Sequence, residues 1–204
     1  CCRIEHKKGG MKMKKQVLVF IFDSYADWEP AYVCSELNAP ETEYSVKTLS
    51  LDKTPKVSMG GFHVIPDYSV EDFPKDFSLL ILSGGLAWLE QKNNAVLPVV
   101  EYAIKNNIPV GAICNAVNFM AENGFLNKIK HSGNTLEFMQ LQAPHYVGGK
   151  YFLEQQAVCD SNIITANGSG TLEFAKEILL LLQAKPESEI AEWYKLNKSG
   201  FYQP

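Results

Sequence analysis

The chain has no apolar run near the ~20 residues that a membrane-spanning helix needs, so no membrane partner is expected. It opens without the basic and then apolar pattern of a secretory leader. Cysteine is scarce and odd in number, with five residues at positions 1, 2, 34, 114 and 159. The absence of a C-x-x-C pair removes the usual spacings for zinc and redox dithiols. Free thiols in a reducing cytoplasm are therefore expected, with no metal and no cofactor. Positive charge is also short. The 19 Lys and Arg stand against 23 Asp and Glu, which argues against nucleic acid as a partner. No internal repeat and no low-complexity linker divides the chain.

What remains is an ordinary globule, 46% hydrophobic and 21% charged, long enough to bury a large core. Residues 1–13 are polar and contain the flexible pair Gly9-Gly10. They read as a tail, disordered or foreign to the natural chain, with Met11 or Met13 a candidate start. Residues 14–204 read as one domain, with 185–204 as a C-terminal extension.

Strand and helix patterns alternate through that domain. Gln16–Phe22 and Phe77–Leu82 are continuous apolar runs of the kind buried in parallel sheets. Glu43–Leu51 alternates apolar and polar residues and reads as a strand. Gly60-Gly61 suits a hairpin over Lys56–Pro66. Helices are expected after Pro30, over Ala95–Lys105, near Thr135–Leu141, over Leu172–Gln183 and after Pro186. Gln156–Asp160 and Asn162–Thr165 read as a strand pair. Such alternation predicts a three-layer α/β/α sandwich with a mainly parallel sheet. Ligands bind such sheets outside the carboxyl ends of the strands. Three loops sit there: Asp23–Glu29, Ser83–Gly85 and the one at Cys114. Asn167-Gly-Ser-Gly170 reads as a plain turn.

Cys114 falls between a buried run, Pro109–Ile113, and a helical pattern over Asn115–Glu122 that Gly124 ends. Ala112 and Ala116 stand two residues to either side. A nucleophile on a sharp strand-to-helix turn needs small neighbours there, so the frame predicts a nucleophile elbow. The helix start also favours negative charge on sulfur.

Taken together, the loop ending in Glu29, Leu82-Ser-Gly-Gly85, Ala112-Ile-Cys-Asn-Ala116 and Ile163-Ile-Thr-Ala-Asn-Gly168 resemble the DJ-1/PfpI superfamily, within the class I glutamine amidotransferase-like fold. The resemblance runs from about Lys15 to Gln183. Asp23-x-Tyr-Ala-Asp-Trp-Glu29 and the Gly200-Phe-Tyr202 ending are similar to the YdeA-like intracellular protease/amidase branch. The resemblance implies a flavodoxin-like sandwich and, together with the aromatic tail Trp193, Tyr194, Phe201 and Tyr202, a homodimer. It implies Cys114 and Glu29 as the catalytic pair, and backbone N–H groups of Gly85 and Asn115 as an oxyanion hole. Two departures stand out. Asn115 occupies the position where the protease branch has His, and none of the four histidines is followed two residues later by Glu. The usual Cys-His-acid triad is therefore missing. His131 is the histidine placed nearest the site, with a turn-stabilising role as the alternative. Trp88, Trp28 and Gly84 are further candidates to line the pocket, the two tryptophans equally at home in a core.

The acid has two opposite possible effects on the thiol. A buried, protonated Glu29 would donate to sulfur and lower the thiol pKa, whereas an ionised Glu29 would raise it. The expected function is a Cys-dependent hydrolase-like enzyme, a protease or amidase in kind, acting on a small substrate. One alternative is a glyoxalase- or deglycase-like activity on α-oxoaldehydes, which needs only Cys and Glu. The other is a redox or stress protein that oxidises at Cys114.

Overall fold

A computed structural model describes residues 13–201. The tail read over 1–13, apart from Met13, lies outside the described residues, as does Tyr202. In chain order the elements are β1 (Lys15–Phe20), α1 (Ala31–Leu37), β2 (Tyr44–Ser50), β3 (Lys56–Val57), β4 (His63–Val64), β5 (Tyr68–Ser69) and β6 (Leu79–Leu82). Then follow α2 (Leu97–Lys105), β7 (Val110–Ile113), α3 (Asn115–Glu122), α4 (Leu136–Gln142), β8 (Ala157–Asp160), β9 (Ile163–Ala166), α5 (Thr171–Leu181) and α6 (Glu187–Ser199).

Seven strands form one sheet in the order β5-β2-β1-β6-β7-β9-β8. All neighbours pair parallel except β8, which runs antiparallel to β9. That exception is local in origin. Ser161 and Asn162 join the two strands with φ of 51° and 61°, the left-handed pair that a tight hairpin requires. The central strands are apolar because helices cover both faces. Every residue of β6, β7 and β9 is buried. Helices α1, α5 and α6 pack together over one face, while α2 and α3 pack beside β7 on the other. Gly111 lets α5 approach, since a Cβ there would lie 2.9 Å from the Phe174 ring. The three-layer α/β/α sandwich is thus the observed fold.

Two local differences from the sequence pattern have physical causes. Sheet pairing of the first strand stops at Phe20 rather than Phe22, because Ser24 turns the chain with φ of 61°. Phe22 instead stacks edge-on to Trp88, at 5.6 Å between centroids. The edge strand β5 is only two residues long, too short to show a period. At the other end, Trp193 meets Tyr32 edge-on and the Tyr194 hydroxyl donates to Glu173 at 2.6 Å. Those two tail aromatics therefore pack on their own chain, and Phe201 is left 89% exposed.

The hairpin of β3 and β4 folds back over the loop that follows β1. Ser24 N–H donates to Val57 C=O at 2.7 Å and Met59 N–H to Tyr25 C=O at 2.9 Å. The Asp23 carboxylate accepts Val57 N–H at 3.0 Å, and Asp27 accepts the Ser58 hydroxyl at 2.7 Å. These bonds anchor the segment that ends in Glu29.

Candidate active site

Cys114 sits between β7 and α3 with φ 59° and ψ −128°. A non-glycine residue held there carries strain of roughly 1–3 kcal/mol. The strain persists because both flanks are fixed. The Cys114 N–H donates to Ala166 C=O at 2.9 Å, and its C=O accepts Val117 N–H at 3.1 Å. Ala112 and Ala116 are fully buried on either side, as the elbow pattern requires. The thiol itself is half-buried.

Glu29 reaches the sulfur from the loop after β1. Only 1% of it is exposed. Its carboxylate accepts Gly84 N–H at 2.7 Å and is a hydrogen-bond partner of the Cys114 thiol. Gly84 is wedged between the two: a Cβ there would lie 2.3 Å from Glu29 Oε2 and 2.6 Å from Cys114 Cβ. Any side chain at 84 would push acid and thiol apart. Gly85 follows with φ 145°, and a Cβ would meet the Phe22 ring and Ser24 C=O at 2.8 Å. Ala26 N–H donates to Gly84 C=O at 3.0 Å, tying the Glu29 loop to the glycine pair. Among the described residues no acceptor takes the Gly85 N–H.

On the other side of the sulfur stands a residue that the sequence pattern did not single out. Asn134 Nδ2 donates to Cys114 Sγ at 3.6 Å and to Asn115 Oδ1 at 3.4 Å. Asn134 Oδ1 accepts Gly168 N–H at 2.9 Å. Asn115 Nδ2 in turn donates to Gly85 C=O at 3.2 Å, and the Asn115 backbone N–H faces the sulfur. Gly168 closes this side, since a Cβ there would approach Sγ to 3.1 Å. The turn at Asn167–Gly170 therefore contributes to the site. It follows the carboxyl end of β9, so the topological rule that selected the other three loops selects this one too. Asn134 carries no such signal, because it follows no strand and stands alone in a turn.

Burial dominates the electrostatics. It raises the Glu29 carboxyl to about 7, against the opposing bonds from Gly84 and Cys114. The Cys114 thiol goes up to about 11, first through burial and then through the Glu29 charge, while the Asn134 and Asn115 donors pull it down. With the carboxyl near 7 and the thiol near 11, the thiol keeps its proton at neutral pH while Glu29 divides between its acid and carboxylate forms. In its ionised form Glu29 raises the thiol, the second of the two effects weighed for it.

His131 is fully buried, and both ring nitrogens are engaged away from the sulfur. Nδ1 lies 2.8 Å from Ile129 C=O, an acceptor only, so Nδ1 carries the hydrogen. Nε2 then accepts the Tyr146 hydroxyl at 2.5 Å. Burial lowers the His131 pKa and keeps the ring neutral. Its position is that of a turn-stabilising histidine, the alternative noted for it. Trp88 is buried against Phe20, Phe22 and Phe119 with Nε1 donating to Ser83 C=O at 2.8 Å, which makes it core beneath the glycine loop. Trp28 is 51% exposed beside Glu29.

A cleft of ≈ 310 Å³ lies beside Asn134, lined also by Thr135, Phe152, Glu154, Gln156 and Asn167, with neither Cys114 nor Glu29 in its wall. Among the described residues no group of three or more His, Cys, Asp or Glu is placed to hold a metal ion, and no helix is long and apolar enough to cross a membrane.

A family model described as the DJ-1/PfpI family matches residues 15–181. The "Uncharacterized protease YdeA" of Bacillus subtilis is 40% identical over 188 residues, covering 92% of this chain and 93% of that protein. The "Glutathione-independent glyoxalase DJ-1" of Schizosaccharomyces pombe is 31% identical over 108 residues, about half of each chain. The crystal structure of a thiJ/pfpI family protein from Bacillus anthracis superposes with a TM-score of 0.83 at 35% identity, covering 94% of this chain and 93% of that one. A match of this length, joined to an elbow cysteine facing a buried glutamate, makes this chain a member of the DJ-1/PfpI family.

Proposed function

We propose that the protein is a Cys114–Glu29 enzyme that converts a small α-oxoaldehyde to a 2-hydroxy acid. The observation that carries this reading is the buried carboxylate bonded to the thiol, with His131 engaged instead by Ile129 and Tyr146. A carboxyl near 7 is a far better base at neutral pH than an ordinary glutamate. As sulfur adds to the aldehyde carbon, the thiol proton passes to Glu29 and on to the new alkoxide, giving a hemithioacetal. Glu29 then removes the hydrogen from that carbon and returns it to the neighbouring carbon, while the hydroxyl proton crosses from the first oxygen to the second through an enediol. The aldehyde carbon is thereby oxidised to a thioester and the ketone carbon reduced to an alcohol. Water cleaves the C–S bond, releasing the acid and restoring the thiol. The N–H groups of Gly85 and Asn115 would hold the oxyanions formed on the way.

The YdeA relative, named a protease, favours a second reading, a cysteine hydrolase or amidase on a small substrate. It uses the same elbow but must also protonate an amine leaving group. A redox role is less well supported, because a thiol near 11 leaves almost no thiolate for peroxide to attack at neutral pH.

The deciding experiment is lactate formation from methylglyoxal beside a panel of amide substrates. Wild type should turn over methylglyoxal, and Cys114→Ala and Glu29→Gln should each lose at least a hundredfold in kcat, the usual scale for a positioned acid–base. Amide cleavage without lactate would establish the hydrolase instead.

A further inference from the structure

Asn134 belongs to neither the elbow nor the glutamate loop, yet it touches the reactive sulfur. Its orientation can be derived. Gly168 N–H is a donor only, so the oxygen of the Asn134 amide must face it, at 2.9 Å. Nδ2 is then left to face Cys114 Sγ at 3.6 Å and Asn115 Oδ1 at 3.4 Å. Asn115 is locked by the same logic, because its other amide end meets Gly85 C=O, an acceptor only. A continuous chain results: Gly168 N–H to Asn134, Asn134 to Asn115, Asn115 to Gly85 C=O. It joins the loops after β9, β7 and β6 across the mouth of the site. Each amide in it has one self-consistent orientation, and the second N–H of Asn134 points at sulfur.

We propose that Asn134 is a third catalytic residue, a fixed neutral donor that holds negative charge developing on Cys114 Sγ as the thiol gives up its proton. This rests on Cys114 being the reacting sulfur. The division of labour is then between Glu29, which moves the proton, and Asn134, which receives none. A donor that cannot titrate leaves the pH dependence to the Cys–Glu pair alone.

The test uses the full-length protein with Asn134→Ala and Asn134→Asp. The pH dependence of iodoacetamide alkylation at Cys114, read by peptide mass spectrometry, is recorded beside thermal unfolding and methylglyoxal kinetics. Asn134→Ala removes the donor, and the alkylation midpoint should rise by about one pH unit, the low end for a bond to an ionised group because Asn134 is exposed. Asn134→Asp keeps an oxygen for Gly168 but turns a carboxylate toward sulfur, so its midpoint should rise further than that of the alanine variant. A scaffolding residue would alter melting but not this order. In turnover, kcat should fall about tenfold with KM little changed. An unchanged midpoint in both variants overturns the proposal, as does a rise in Ala that Asp does not exceed. Should Ala fail to fold, the nearly isosteric Asp variant decides alone. The alkylation readout needs no substrate. A shifted midpoint in an enzyme that ignores methylglyoxal would leave Asn134 in place and remove only the α-oxoaldehyde reading.

Discussion

At the scale of single residues, the site is organised by burial more than by charge partners. Glu29 is the case that can be worked through with its sign. Its folded pKa of about 7 lies above the ordinary 4.5. Between those values the folded chain holds a proton that the unfolded chain has lost, so stability falls as pH rises through this window and stays level above it. Glu29→Gln removes the ionisation and keeps an oxygen for Gly84. Its stability advantage over wild type should therefore grow by roughly 2–3 kcal/mol between about pH 5 and about pH 8. Urea unfolding at the two pH values measures this, and a constant difference would mean that Glu29 titrates normally. The same variant removes the charge that repels the thiolate, so its Cys114 alkylation midpoint should fall below that of wild type. The opposite shift would show a protonated Glu29 donating to sulfur.

At the scale of elements, what brings Glu29 to Cys114 is a clamp. The strand β1 ends too early to position its own loop, and the β3–β4 hairpin holds that loop from above through Val57, Ser58 and Met59. Gly60 lets the hairpin tip come close, since a Cβ there would lie 2.3 Å from Asp27 Oδ2. Ser58 donates to Asp27 and accepts Phe62 N–H at 3.0 Å, so one hydroxyl serves both the clamp and the hairpin turn. Ser58→Ala should cost about 1–2 kcal/mol for the two bonds. Limited proteolysis within residues 56–64 should also quicken, because local opening becomes easier. An unaltered cleavage rate at this hairpin would show that the clamp is held by its backbone bonds alone.

At the scale of the whole molecule, the open question is the assembly. The aromatic tail was a reason to expect a homodimer, and Trp193 and Tyr194 satisfy themselves on their own chain. What remains for a second copy is apolar surface elsewhere, with Phe201, Val147, Leu141 and Ile65 each more than 70% exposed. The dimer therefore stays a proposal resting on the family resemblance and on this exposure. Light scattering at micromolar concentration should give twice the 22.8 kDa chain mass, and a monomer would remove the proposal.

The sequence by itself determined the sandwich, the elbow and the glycine pair. Each is local: apolar runs, a small-x-Cys-x-small frame and an unbroken Gly84-Gly85 all act within a few residues of themselves. It also placed Glu29, through a motif read whole from Asp23 to Glu29. Tertiary structure alone decided which groups touch the sulfur. His131 stands 17 residues after the elbow and is turned away to Tyr146, while Asn134, three residues further on, is turned in by a bond to Gly168. No periodicity distinguishes those two positions, because both lie in an irregular segment whose course depends on β9 and its loop. The proton balance was likewise beyond the sequence. How far a carboxyl and a thiol hold their protons depends on how much water reaches them, and burial is a property that only the packed chain possesses.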